Sequence, residues 1–152
     1  MSHPKHILVC TDLSETSKGA LHKAAAYGTH FGAKITLIHV YDPSPLVPPA
    51  AIPSPERMEE KIATELEDAI RRELRSIRDS IFPGVEGIEL AIHRHPSPAR
   101  AITQHAREED VDLIIVGTHG RTGIAHMLIG SVAEKVVRHA SCDVLAVRTV
   151  PR

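Results

Sequence analysis

Tryptophan is absent, and two phenylalanines and two tyrosines are all the ring-stacking side chains that 152 residues supply. A strand of nucleobases would find few platforms here. An excess of charge is missing too: 18 basic against 19 acidic residues leave a formal net charge of −1, without the positive field that draws a phosphodiester backbone. Nucleic acid is therefore not expected as a partner. Cysteine is scarce, and Cys10 and Cys142 stand far apart, each in or beside an apolar run and without the paired spacing of a zinc site. They read as two small buried hydrophobes of a reducing compartment. No apolar stretch has the length of a membrane span, and the run after Met1-Ser2-His3-Pro4-Lys5-His6 is too short for a signal peptide. These absences lead us to expect a soluble, cytoplasmic protein without membrane insertion.

With 42% hydrophobic residues, 1–152 has the size and content of a single domain with one ample core. Ile7-Leu8-Val9-Cys10 reads as a first strand, and Ser14-Glu15 opens a capped helix with apolar Leu21, Ala24, Ala25 and Phe31 that ends near Gly32. Lys34 to Val40 is a second strand rich in branched residues. The span from Pro43 to Pro55 holds six of the eleven prolines, which excludes helix and interior strand and leaves a semi-rigid surface connector or a lid. After Ser54-Pro55-Glu56, an apolar residue recurs every three or four positions from Met58 to Ile81, the stripe of a long amphipathic helix. Ile88 to Ile92, Asp112 to Val116 and Asp143 to Arg148 are further strands; Ser97 to about Glu109 and Ser131 to His139 are the helices between them.

Strict alternation of apolar strands with helices predicts an α/β fold: an open five-stranded parallel sheet with helices on both faces, Rossmann-like. In the order 3-2-1-4-5, winding reverses between the first and fourth strands, and the crevice at their carboxyl ends is where such sheets bind ligands. Those ends are Asp12 and Gly117.

The densest pattern in the chain begins at the second of these ends. Gly117-Thr118-His119-Gly120 follows the run Leu113 to Val116, and nine residues later Gly130-Ser131-Val132 opens a helix. Glycine permits positive φ and lets backbone N–H groups come close to a ligand, while a helix N-terminus adds unpaired donors and a dipole favourable to anions. Ser131-x-x-Glu134 also fits a capping box, which would explain those two residues structurally. Capping does not explain Gly117, Gly120 and Gly123 within seven residues, so the pattern reads as a phosphate cradle.

The dinucleotide fingerprint G-x-G-x-x-G is missing from the first turn, Cys10 to Ser14, and the P-loop lysine is missing beside Gly130-Ser131. Instead, Gly117-x2-Gly120-x9-Gly130-Ser131, with Asp12 after the first strand, resembles the universal stress proteins, and the likeness runs from Ile7-Leu8-Val9-Cys10-Thr11-Asp12 through His39-Val40-Tyr41-Asp42 to Val144-Leu145-Ala146-Val147. The resemblance implies the ATP-binding branch of that family, with an adenine nucleotide alpha hydrolase-like fold. It implies that Asp12 and the backbone at Val40 meet adenine with Thr11 nearby. Gly117, Gly120, Gly130, Ser131 and Val132 would then hold ribose and phosphates, with Mg²⁺ leaning on phosphate and water. A carboxylate accepting from an exocyclic amine and a backbone cradle for phosphate oxygens are consistent with this. Asp12 fits an Asx turn or helix cap equally well.

Eleven histidines are mostly scattered. His93 and His95 share one side of a strand, as half a metal site or as solvated rim residues. His119 lies within the glycine pattern, and Arg121 is placed to neutralise phosphate. These are fragments of the set that hydrolysis requires, so the expectation is a nucleotide-dependent regulatory module in the stress response, with no catalytic residue assigned. A weak ATP hydrolase and a nucleotide-independent dimeric scaffold are the alternatives. The terminal strand would form a sheet edge, and the resemblance implies a homodimer that pairs Asp143–Arg148 across a two-fold axis. The protein partner is not legible.

Overall fold

The computed structural model describes residues 3–44, 55–119 and 129–148. Strands β1 (His6–Cys10), β2 (Lys34–Tyr41), β3 (Glu89–Arg94), β4 (Leu113–Gly117) and β5 (Asp143–Val147) alternate with helices α1 (Lys18–Phe31), α2 (Pro55–Ile81), α3 (Pro98–Glu108) and α4 (Ser131–His139). All neighbours in the sheet run parallel, as the alternation predicts, and their order is the expected β3-β2-β1-β4-β5.

Burial explains why these runs become strands. Every residue of β1 is buried, as the centre of a sheet covered on both faces requires, whereas β5, at the edge, has no fully buried residue. Alternate side chains feed two cores. Ile7, Val9, Ile35, Leu37 and Ile115 meet α1 and α2 on one face. Leu8, Ile38, Ile114 and Val116 meet Ala99, Ile102 and Ala106 of α3 and Ala133 and Val136 of α4 on the other. In α2 the apolar stripe is buried in its second half, at Ile70, Leu74 and Ile77. Met58 and Ile62 are only half-covered. Full burial of one such side chain contributes about 1.5–3 kcal/mol.

Element ends deviate from the sequence reading where side chains bond the backbone. Asp112 stays outside β4 because its carboxylate accepts from the N–H groups of Lys5 (2.8 Å) and His6 (2.9 Å), tying the entries of β4 and β1 together. Those two donors hold its carboxyl below the usual carboxylate range. The caps expected at Ser14 and Ser97 are corrected, while the one expected at Ser54 lies outside the described residues. Ser14 precedes a 3-10 turn, Glu15–Ser17, and neither it nor Ser97 makes a side-chain cap bond. At α4 the N-cap is Gly130, so Ser131 is the first helical residue and no capping box forms, while Glu134 pairs with Arg138 at 2.8 Å. No helix among the described residues is long and apolar enough to cross a membrane.

Candidate functional site

The reversal of winding between β1 and β4 leaves a cavity of about 180 Å³ at the carboxyl ends of the strands. Its apolar floor is Cys10, Ile38 and Val116. Burial raises the Cys10 thiol to about 12. The structure places Thr11, Asp12, Val40, Gly117, Gly130, Ser131 and Val132 along this one cavity. Gly120, Arg121 and Gly123, together with the interior of the proline-rich span, lie outside the described residues.

The wall after β1 is held by its own side chains. The Asp12 carboxylate accepts from the Ser14 N–H at 3.0 Å, an Asx turn, and also from the Ser14 hydroxyl. Asp12 therefore shapes the turn and lines the cavity at once. Thr11 Oγ1 accepts from the Leu13 N–H at 3.0 Å and shares a hydrogen bond of 2.8 Å with Ser17, whose hydroxyl in turn donates to the Ser14 carbonyl. These bonds keep Leu13 at φ 66°, a left-handed conformation that a side-chain-bearing residue adopts at a cost of about 1–2 kcal/mol.

The opposite wall is made of backbone. A Cβ on Gly117 would meet only the carbonyl oxygens of His119 at 3.8 Å and Thr16 at 3.9 Å, so internal packing leaves room for a side chain there. Positive φ is not the reason for glycine in this wall. The positive-φ glycines among the described residues are Gly32, Gly84 and Gly87, and Gly130 has extended backbone at φ −71°, ψ 156°. What Gly117 provides is open space in front of the chain, and Gly130 lines the same cavity. The Gly130 N–H donates to the Thr118 carbonyl, and its own carbonyl accepts the first rung of α4 from Glu134. Ser131, Val132 and Ala133 line the cavity and belong to the first turn, whose N–H groups have no intrahelical partner.

Several contributors were not legible in the motif. Pro98 and Ile102 of α3 line the cavity, as does Ser17. The signal for α3 was topological, since every strand-to-helix turn of a parallel sheet opens at the same end. His119 lines the cavity with Nδ1 2.9 Å from Thr118 Oγ1. His93 and His95 part company: His93 Nε2 lies 3.1 Å from His105 Nδ1, whereas His95 Nδ1 accepts from the Ser97 N–H. No cluster of three or more metal-ligating side chains exists among the described residues.

The profile of the universal stress protein family matches residues 3–148. This chain belongs to that family. Universal stress protein MJ0531 of Methanocaldococcus jannaschii is 33% identical over 147 residues, spanning 95% of this chain and 82% of that one. The solved structure of the hypothetical protein MJ0577 superposes with a TM-score of 0.80 at 28% identity, covering 99% of this chain and all (100%) of the other. A universal stress protein in complex with cAMP superposes with a TM-score of 0.72 at 27% identity, covering 98% of this chain and 100% of that one. The fold and its order of strands are thus those of a universal stress protein domain, and a nucleotide complex occurs among its structural neighbours.

Proposed function

We propose that this universal stress protein binds an adenine nucleotide, ATP foremost, in the crevice between β1 and β4, and that occupancy regulates a partner interaction in the stress response. The observation that carries the reading is the pairing of two unlike walls around one cavity: a carboxylate-bearing turn at Asp12, and a wall of side-chain-free positions leading to the N-terminus of α4. The base fits the apolar side made by Ile38, Val40 and Ile102, with the Asp12 carboxylate accepting from its exocyclic amine. Phosphate oxygens fit the first-turn amides of Ser131 and Val132, where the helix dipole favours negative charge. Gly120 and Arg121 complete this cradle in our reading. Mg²⁺ accompanying the nucleotide would be held by phosphate and water, because the neighbouring protein atoms are mostly backbone donors and not carboxylates. That a related universal stress protein was solved with cAMP supports an adenine nucleotide as the kind of ligand.

The chain works in the cytoplasm as a homodimer in this reading, with β5 edges paired, since β5 stands at the end of the sheet with Asp143 and Ala146 exposed. Sedimentation at micromolar concentration should give twice 16.6 kDa, and a monomer would contradict the pairing. Isothermal titration with ATP tests the main claim. Saturable heat at one site per chain is the expected result. Absence of heat, together with no small molecule in the mass spectrum of the denatured protein, would overturn it.

A further inference from the structure

We propose that His39 is a positioning residue of the nucleotide crevice: its imidazole takes the Thr11 carbonyl out of the sheet ladder and so turns the Val40 edge of β2 toward the ligand. This rests on the adenine-nucleotide reading above, and it concerns a side chain that does not line the cavity.

The ladder between β1 and β2 pairs Cys10 with Ile38, and its last rung is the Thr11 N–H donating to the Ile38 carbonyl at 3.1 Å. A regular parallel ladder would continue with the Val40 N–H donating to the Thr11 carbonyl. Among the described residues that rung is not made. The Thr11 carbonyl accepts instead from Nδ1 of His39 at 2.8 Å, inside the protein, where His39 is 5% exposed. A carbonyl only accepts, so Nδ1 carries the hydrogen.

Strand alternation gives this bond its direction. Ile38 and Val40 pack on the α3–α4 face, and Leu37 and Tyr41 on the α1–α2 face, so the His39 ring between them lies on the α1–α2 side. The carbonyl is drawn to that side, away from the crevice. Two consequences follow at the site. Val40 extends past the end of β1 with the backbone edge that faced β1 now bordering the cavity. Thr11 is fixed through its carbonyl as well as its hydroxyl, which sets the start of the turn carrying Asp12. An apolar residue at 39 would satisfy burial and leave the carbonyl to close the ladder onto Val40.

The test uses the full chain with AMP and ATP titrated into wild type, His39→Leu and His39→Asn, whose Nδ2 falls near the imidazole Nδ1. We expect His39→Leu to weaken both nucleotides by about tenfold, the cost of one hydrogen bond, and by the same factor, because the defect is at the base end. His39→Asn should recover to within about threefold of wild type. A ¹⁵N spectrum of the wild-type imidazole should show hydrogen on Nδ1. Wild-type affinity in His39→Leu, a loss that grows with phosphate number, or no rescue by Asn overturns the assignment, the last because it would leave packing as the explanation. Amide exchange at Leu13 and Ser14 judges the residue without nucleotide: faster exchange in the Leu variant, restored by Asn, upholds it, and unchanged exchange overturns it. Should the wild type bind neither nucleotide, the functional reading fails by itself and the exchange result still decides the role of His39.

Discussion

In the arm of the crevice that follows β1, Thr11, Asp12, Ser14 and Ser17 bond one another and the backbone between them, and Leu13 is held at positive φ by that mesh. In the arm formed by the end of β4 and the start of α4, Gly117 and Gly130 line the cavity without a side chain, beside His119 and the first-turn residues Ser131 and Val132. One arm is specified by what its side chains do, the other by the space left where side chains are missing. The difference teaches where each arm is vulnerable: deletions damage the first, additions the second.

The largest effect is expected from Gly130→Asp. Extended backbone at φ −71° accepts any residue, and aspartate is among the best N-caps, so α4 gains a cap. The new carboxylate takes the first-turn amides that would hold phosphate and repels it as well. ATP affinity should fall by about a hundredfold while the melting temperature holds or rises, as read by titration and calorimetry. Equal losses of stability and binding would erase the contrast between the arms.

Thr11→Val sharpens the other side. It keeps the shape and removes the hydroxyl, leaving the Leu13 N–H and the Ser17 hydroxyl without that partner in a buried place. Urea denaturation should show a loss of about 2 kcal/mol, with weakened nucleotide binding alongside. A stability unchanged by the substitution would mean that the mesh is not what holds the turn.

The smallest effect separates both arms from α3, whose first turn also borders the cavity. Burial, and next the neighbouring His93 at 3.1 Å, lower the pKa of His105 from its ordinary 6.5; Glu109 and Glu108 oppose this, and His6 adds to it. Its buried Nε2 has no hydrogen-bond partner among the described residues. The folded state thus prefers the neutral ring, and the unfolded chain takes up the proton first. The contribution is fully present above about pH 7 and is lost as pH falls through 6.5, since the unfolded state then binds more protons. The urea midpoint should drop between pH 7.5 and pH 5.5, and His105→Leu should flatten that slope. An identical slope in the variant would assign the pH dependence elsewhere.

The parallel α/β class was legible because β1 to β5 are apolar runs separated by helical periodicity; alternation alone leaves the order of strands open, and it is the order 3-2-1-4-5 that brings Asp12 and Gly117 to one crevice. The helix caps were not, because Ser131-x-x-Glu134 satisfies the capping pattern in sequence while the chain enters α4 one residue earlier, at Gly130. His39 was also hidden. A single polar residue inside Ile38-His39-Val40 looks like one more scattered histidine, and only the register of β1 against β2 shows that a carbonyl lies within its reach. Likewise, His93 and His95 share a strand side in sequence, yet the strand ends at Arg94 and His95 turns to meet Ser97.

The thiol on the crevice floor has a consequence for the reactivity of that surface. Attack on peroxide or on an electrophile requires thiolate, and at a pKa of about 12 the Cys10 sulfur remains protonated at neutral pH. The pKa of Cys142 is raised as well, by burial first and then by Asp143 and Asp112. Neither sulfur is therefore poised for thiolate attack on an oxidant, and the Cys10 thiol serves the crevice as a small apolar surface.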